Sequence, residues 1–438
     1  MAILTRDEAR DIMQKVINLS KADHCEVNLQ GGVGGNIRYA RNTVTTSGEE
    51  QNTSLSVESA FGKKTGTASI NEFDDESLEK VVRRSEELAQ LAPENPEYME
   101  PLGPQEYRES KTYFDSTAKI TPDYRARAAE NSIKPSIDNG LISAGFLEDG
   151  SGFNAIMNSN GLFAYNQDTE VEFSVTVRTR DGRGSGWVSR DYNDVDLMDT
   201  ATASDIAIQK SKGSAEAVAL EPGKYTVILE PHASVGLLGN MFFRMDARTA
   251  DEGRSFLSKQ GGGTRVGEKM FDERVTVYSD PFHSTVPTAP FTGSGQPVER
   301  TTWIENGVVK NLAYSRFWAK QQGVDPLPGP VNGIMEGGTK STAELVASTE
   351  RGILVTRTWY IRMVDPQSLL LTGLTRDGTF YIEDGEIKHA VKNFRFNESP
   401  VIMLNNIEEL GKPVRCEGNM IPPMKIRDFT FSSLSDAV

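Results

Sequence analysis

The chain has 438 residues, enough for two or three domains, and its 37% hydrophobic content is enough for ordinary cores. A formal net charge of -15, with basic residues in short pairs and no tracts, argues against a partner held through phosphate groups, nucleic acid above all. No run approaches the ~18 apolar residues of a membrane span. The opening MAILTRDEAR lacks a signal-peptide core, and the two cysteines, Cys25 and Cys416, do not suggest a disulfide scaffold. The expectation is a cytoplasmic protein with neither a nucleic-acid nor a membrane partner.

In chain order, the first helix is capped by Thr5 or Asp7, with Glu8 placed for a capping box and Ala9, Ile12, Met13, Val16 and Leu19 as its buried stripe. A strand from Cys25 follows. The cluster Gly31, Gly32, Gly34 and Gly35 fits neither the dinucleotide fingerprint nor the nucleotide-triphosphate loop, and reads as a turn. Phe61-Gly62-Lys63-Lys64 marks a hairpin. Asp74 or Asp75 caps a second helix, and Thr121-Pro122 opens another. Separate strands are expected at 141–147, 153–158 and 162–166, the last two joined at Asn160-Gly161. Val171, Phe173, Val175 and Val177 alternate with polar residues in the cleanest strand of the chain.

A helix near 199–209 leads to the segment EPGKYTVILEPHASVGLLGNM, read as a strand feeding a central helix over 231–249, with Pro231 at its first position. Beyond it, turn signals at Asn306-Gly307, Asp377-Gly378 and Asp384-Gly385 separate strand-like runs. The pattern predicts an α+β protein. An N-terminal α/β domain, residues 1–215, has a mixed sheet flanked by helices. A C-terminal domain, residues 216–438, has mainly antiparallel twisted sheets with a few helices.

Chemistry is sparse. His24, His232, His283 and His389 are too far apart for a helical zinc pair, and there is no G-x-S-x-G elbow. His232, at a helix start, is the candidate catalytic or metal-binding residue, with Cys416 a second candidate ligand. Arg254 and Ser255 precede a glycine-rich loop that can line a cleft. The strand carrying Arg357 and Tyr360 can accept an extended peptide through its backbone.

Several blocks, in order, resemble one family: ARNTVTTSGEEQNTSLSV with GKKTGTASIN, GKYTVILEPHASVGLLGNM, GEKMFDERVTVYSDP, GVVKNLAYSRFWAK and GLTRDGTFYIEDGEIKHAVKNFRFNESP. The chain resembles the TldD/PmbA proteins, metallopeptidase-related and once described as modulators of DNA gyrase. The resemblance implies a catalytic member with His-Glu-x-x-x-His at the start of the central helix and a late cysteine ligand. Here the first histidine falls on His232, but Ala233 stands for the glutamate and Leu237 for the second histidine, Glu230 lies upstream, and Cys416 is the nearest match to the cysteine. This chain is therefore similar to the TldE/PmbA-like partner subunit. What that implies is no cofactor on this chain, zinc on a TldD-like catalytic partner, and a dimeric chamber for proteolysis of extended peptide. The alternatives are a stand-alone metallopeptidase with an atypical site and a homodimeric binding module.

Overall fold

The computed structural model describes residues 3–435. Six strands form the N-terminal sheet: β1 (His24–Ala40), β2 (Thr43–Phe61), β3 (Lys64–Ile70), β4 (Ile142–Asn158), β5 (Phe163–Arg178) and β6 (Ser185–Tyr192), in the order β3-β2-β1-β4-β5-β6. Every pairing in it is antiparallel, which corrects the expected mixed sheet. Tight turns at Arg41-Asn42, Gly62 and Gly161, all at positive φ, join its long strands as hairpins, and a hairpin cannot make a parallel pair.

Helices pack on one face. α1 (Arg6–Leu19) is closed by the expected Thr5–Glu8 capping box, and α2 (Asp75–Leu91) by Asp74. Both cover Val27, Leu29, Leu55 and Val57. After the short α3 (Asp115–Ala118), α4 (Pro122–Asp138) and α5 (Thr200–Gly213) cover the other end of the same face over Leu147, Phe173 and Val175.

The glycine cluster is not a turn. Gly31, Gly32, Gly34 and Gly35 lie mid-strand in β1, and 142–158 is one strand, not two. A Cβ on Gly35 would stand 1.8 Å from Nη2 of Arg125. The missing side chain lets the buried Arg125 guanidinium lie on the sheet and bind Asp149 through Nε at 2.6 Å and Nη2 at 3.0 Å.

The C-terminal half opens with β7 (Gly223–Leu229), α6 (Pro231–Phe242) and α7 (Ala247–Asp251). The central helix thus stops at Phe242, short of the expected 249, and the chain turns through Arg244 before Asp246 caps a new helix. There follow β8 (Val277–Ser279), β9 (Thr301–Glu305), β10 (Val308–Val309), α8 (Arg316–Gln322), β11 (Ile334–Met335) and α9 (Thr342–Ala347). The last elements are β12 (Arg351–Asp365), β13 (Leu370–Glu383), β14 (Glu386–Ala390), β15 (Phe394–Glu398), α10 (Pro400–Asn405), β16 (Ile407–Leu410), β17 (Val414–Cys416), β18 (Asn419–Ile421) and β19 (Met424–Leu434).

Strands β12, β7, β19, β15 and β13 pair in turn, and β13 pairs back to β12, closing a ring. Its pairings are antiparallel except β7 with β12, and a second, smaller sheet runs β10-β9-β8-β11-β18-β17. Helix α6 is largely enclosed: Ala233, Leu237, Leu238 and Met241 are fully buried in the core that the two sheets share. The architecture is α+β, with a mainly antiparallel C-terminal half.

Candidate functional site

β7 delivers the chain to α6 with Glu230 as N-cap. The Glu230 carboxylate takes no cap hydrogen bond and instead receives two from Lys210 of α5, at 2.7 and 2.8 Å. His232 points away from the core. Its ring meets Trp187 of β6 edge-on at 5.0 Å, and the other partner of Trp187 is Arg357, whose guanidinium lies 4.2 Å from the indole centre. Trp187 thus inserts from the N-terminal sheet between two side chains of the C-terminal half.

The Nε2 of His232 is buried and has no hydrogen-bond partner among the described residues. Burial first, and the nearby cations Arg190, Lys210 and Arg357 next, push its pKa down to about 3, against the smaller opposing pull of Asp191. Its ring is neutral at pH 7.

A zinc centre built on this helix needs further donors beside His232, and the residues present do not fit one. Ala233 and Leu237 carry no donor atom and are fully buried in the core. Cys416, at the end of β17, is also fully buried, and burial drives its thiol pKa far up, away from the thiolate a metal requires. His389 stacks on Tyr381 at 5.3 Å, His283 accepts from the Thr285 amide at 3.2 Å, and His24 faces Glu100 at 3.9 Å. Among the described residues no three His, Cys, Asp or Glu side chains converge on a metal position.

The four residues named for ligand contact are dispersed. Exposed Arg254 pairs with Glu252, and the Ser255 hydroxyl accepts from the Leu257 amide, ordering its own loop. Arg357 binds Asp377 at 2.5 Å, and the second Asp377 oxygen accepts from Ser185 of β6 at 2.5 Å. Bulges at 355–357 and 359–362 break the alternation of β12, and Tyr360 sits at φ +54° with Arg362 over its ring. Thr356 is buried and Thr358 donates to the Ala233 carbonyl at 2.8 Å, so alternate residues of this strand meet different neighbours.

A cavity of about 750 Å³ lies elsewhere on the same junction, and none of Arg254, Ser255, Arg357 and Tyr360 lines it. One wall is the helix-free face of the N-terminal sheet, with Glu148, Glu172 and Asp191. The other comes from the end of α6, the loops at 286–288 and 329–333, and the β17–β18 turn. Arg415 of β17 crosses between them to Asp191 at 2.8 Å and Asn193 at 2.7 Å. Sequence reading missed this wall because the acidic residues lie on three strands and only the register of the sheet aligns them.

A sheet-and-helix unit packed on a closed ring of strands is a shared architecture. Solved structures with it include TldE from Thermococcus kodakarensis (TM-score 0.88, 18% identity, covering 96% of this chain and 100% of that one). Another is a Thermotoga maritima protein whose description links it to modulation of DNA gyrase (TM-score 0.86, 19% identity, 97% and 100%). Family models match in order: the PmbA/TldA metallopeptidase domain 1 on residues 25–89, the central domain on 113–214 and the C-terminal domain on 222–433. The chain belongs to this PmbA/TldD family of metallopeptidase-related proteins.

Among curated proteins, an uncharacterised Methanocaldococcus jannaschii protein is 26% identical over 269 residues, 59% of each chain. A Methanothermobacter thermautotrophicus protein described as a metalloprotease is 22% identical over 304 residues, 64% of each chain. The match thus spans about three-fifths of the length of these relatives. No helix among the described residues is long and apolar enough to cross a membrane.

Proposed function

We propose that this chain is the non-catalytic member of a cytoplasmic PmbA/TldD-type peptidase assembly. It binds peptide in extended form and helps enclose the space in which a separate, histidine-bearing chain holds zinc and hydrolyses the amide bond. The observation that carries this reading is the state of α6 and its surroundings. The two positions that follow His232 in the family motif are core positions here, and Trp187 closes over His232 itself. A site that had only lost its ligands would leave a gap, whereas this one is packed.

The test is assembly. Native mass spectrometry of the purified chain, alone and mixed with a histidine-bearing relative from the same genome, is expected to show a stable mixed complex. A chain that stays homodimeric or monomeric in the mixture at micromolar concentration, with no gain in peptidase activity, contradicts the proposal.

A further inference from the structure

The mid-strand glycines of β1 face glycines of β4: Gly32 is registered with Gly152, and Gly34 with Gly150. These four positions lie on the helix-free face and leave two adjacent strands without side chains there. Glu50 of β2, opposite Gly34, stands on one side of this bare floor. Asp168 and Glu170 of β5 stand on the other, Glu170 opposite Gly150, and Glu172 continues the row into the larger cavity. The result is a trough of about 320 Å³ that shares Glu148 and Glu170 with the 750 Å³ cavity and runs into it.

The trough is charged in one sense. Glu148 lies directly across from Glu172, and Glu172 directly across from Asp191. Like charges so placed repel and destabilise a sheet. Glu148, Asp168 and Glu172 stay exposed to solvent, and partial desolvation on the strand surface first, with repulsion from neighbouring carboxylates second, raises their pKa values. Among the described residues Arg415 is the one cation lining the cavity, and Asp191 already holds it. Facing the acids across the cavity are apolar side chains, Phe242, Phe243, Met245, Val286 and Val331, with Phe243 90% exposed. A bare floor, uncompensated carboxylates and an apolar opposing wall are complementary to a chain that is narrow, cationic and partly apolar.

Asp168, Glu170 and Glu172 are at alternate positions of one strand, so their side chains share a face and recur about every 7 Å. An extended peptide presents its own alternate side chains at the same repeat. We propose that the trough takes an extended peptide with lysine or arginine at alternate positions, the cationic groups over Asp168, Glu170 and Glu172 and a following apolar residue against Phe242 and Phe243. This rests on the peptide-binding reading above and adds the class of peptide.

Fluorescence anisotropy with the full chain and three labelled unstructured decapeptides tests it: one with lysine at alternate positions and a terminal leucine, one with glutamine in place of lysine, and one with the same lysines in a block. The alternating lysine peptide is expected to bind about tenfold tighter than either other at low salt, and the advantage to shrink as salt rises. The triple variant Asp168→Asn, Glu170→Gln, Glu172→Gln should abolish the advantage while circular dichroism and binding of the glutamine peptide stay unchanged. Equal binding of all three peptides, or an advantage that survives in the triple variant, overturns the alternating-charge proposal and leaves peptide binding standing. Binding of none overturns both.

Discussion

Trp187 and His232 show how much one contact changes the meaning of a residue. From the sequence His232 is a histidine at a helix start, a position open to catalysis, metal binding or packing. In the fold its ring packs edge-on against an indole in the field of nearby cations, and its neutral form is the one folding favours. Because its folded pKa, about 3, lies below the ordinary value of 6.5, the stability gained from keeping it neutral is fully present above pH 6.5. That stability drains as pH falls towards 3. His232→Phe keeps a ring against Trp187 and removes the titration. Urea denaturation at a series of pH values should show the parent chain losing stability more steeply than His232→Phe below pH 6.5, and parallel curves would contradict the assignment.

At the scale of elements, much was legible. The Thr5–Glu8 box, the Asp74 and Thr121 caps and the alternation from Val171 to Val177 are local signals, and each is present as read. What failed depended on partners distant in sequence. Four glycines in five residues resemble a turn until the strand's neighbours are known. Gly35 is empty because Arg125, ninety residues on, needs the space. Likewise the end of α6 at Phe242, the bulge at Tyr360 and the closure of β13 onto β12 have no local marker that outweighs helix or strand periodicity.

Gly35→Ala is therefore expected to push the guanidinium off Asp149 and cost about 3 kcal/mol, as for a broken buried ion pair. A loss below about 1 kcal/mol in chemical denaturation would show that Arg125 can relocate freely.

At the scale of the molecule, the N-terminal sheet and the C-terminal ring are joined by polar links. Lys210 binds Glu230, Arg415 binds Asp191, and Ser185 and Arg357 share Asp377, which is 1% exposed. Removing the shared carboxylate leaves Arg357 enclosed without its counter-charge. Asp377→Ala is expected to destabilise the whole chain by about 3 kcal/mol in a single cooperative transition. Two separated transitions would mean that the halves unfold independently and that these links do not couple them. The candidate site was only partly visible in the sequence for the same reason. Ala233 and Leu237 announce what α6 lacks, whereas the acidic trough exists only once three strands are in register.

The proposed role requires that this chain carry no working metal centre of its own and serve a catalytic partner. Zinc content of the purified full chain, measured by elemental analysis after incubation with zinc and removal of excess, with peptide cleavage assayed on the same sample, tests it most directly. Well under one zinc per chain is expected, with no cleavage until a histidine-bearing relative is added. Zinc near one per chain, lost in a His232→Ala variant together with cleavage activity, would contradict it.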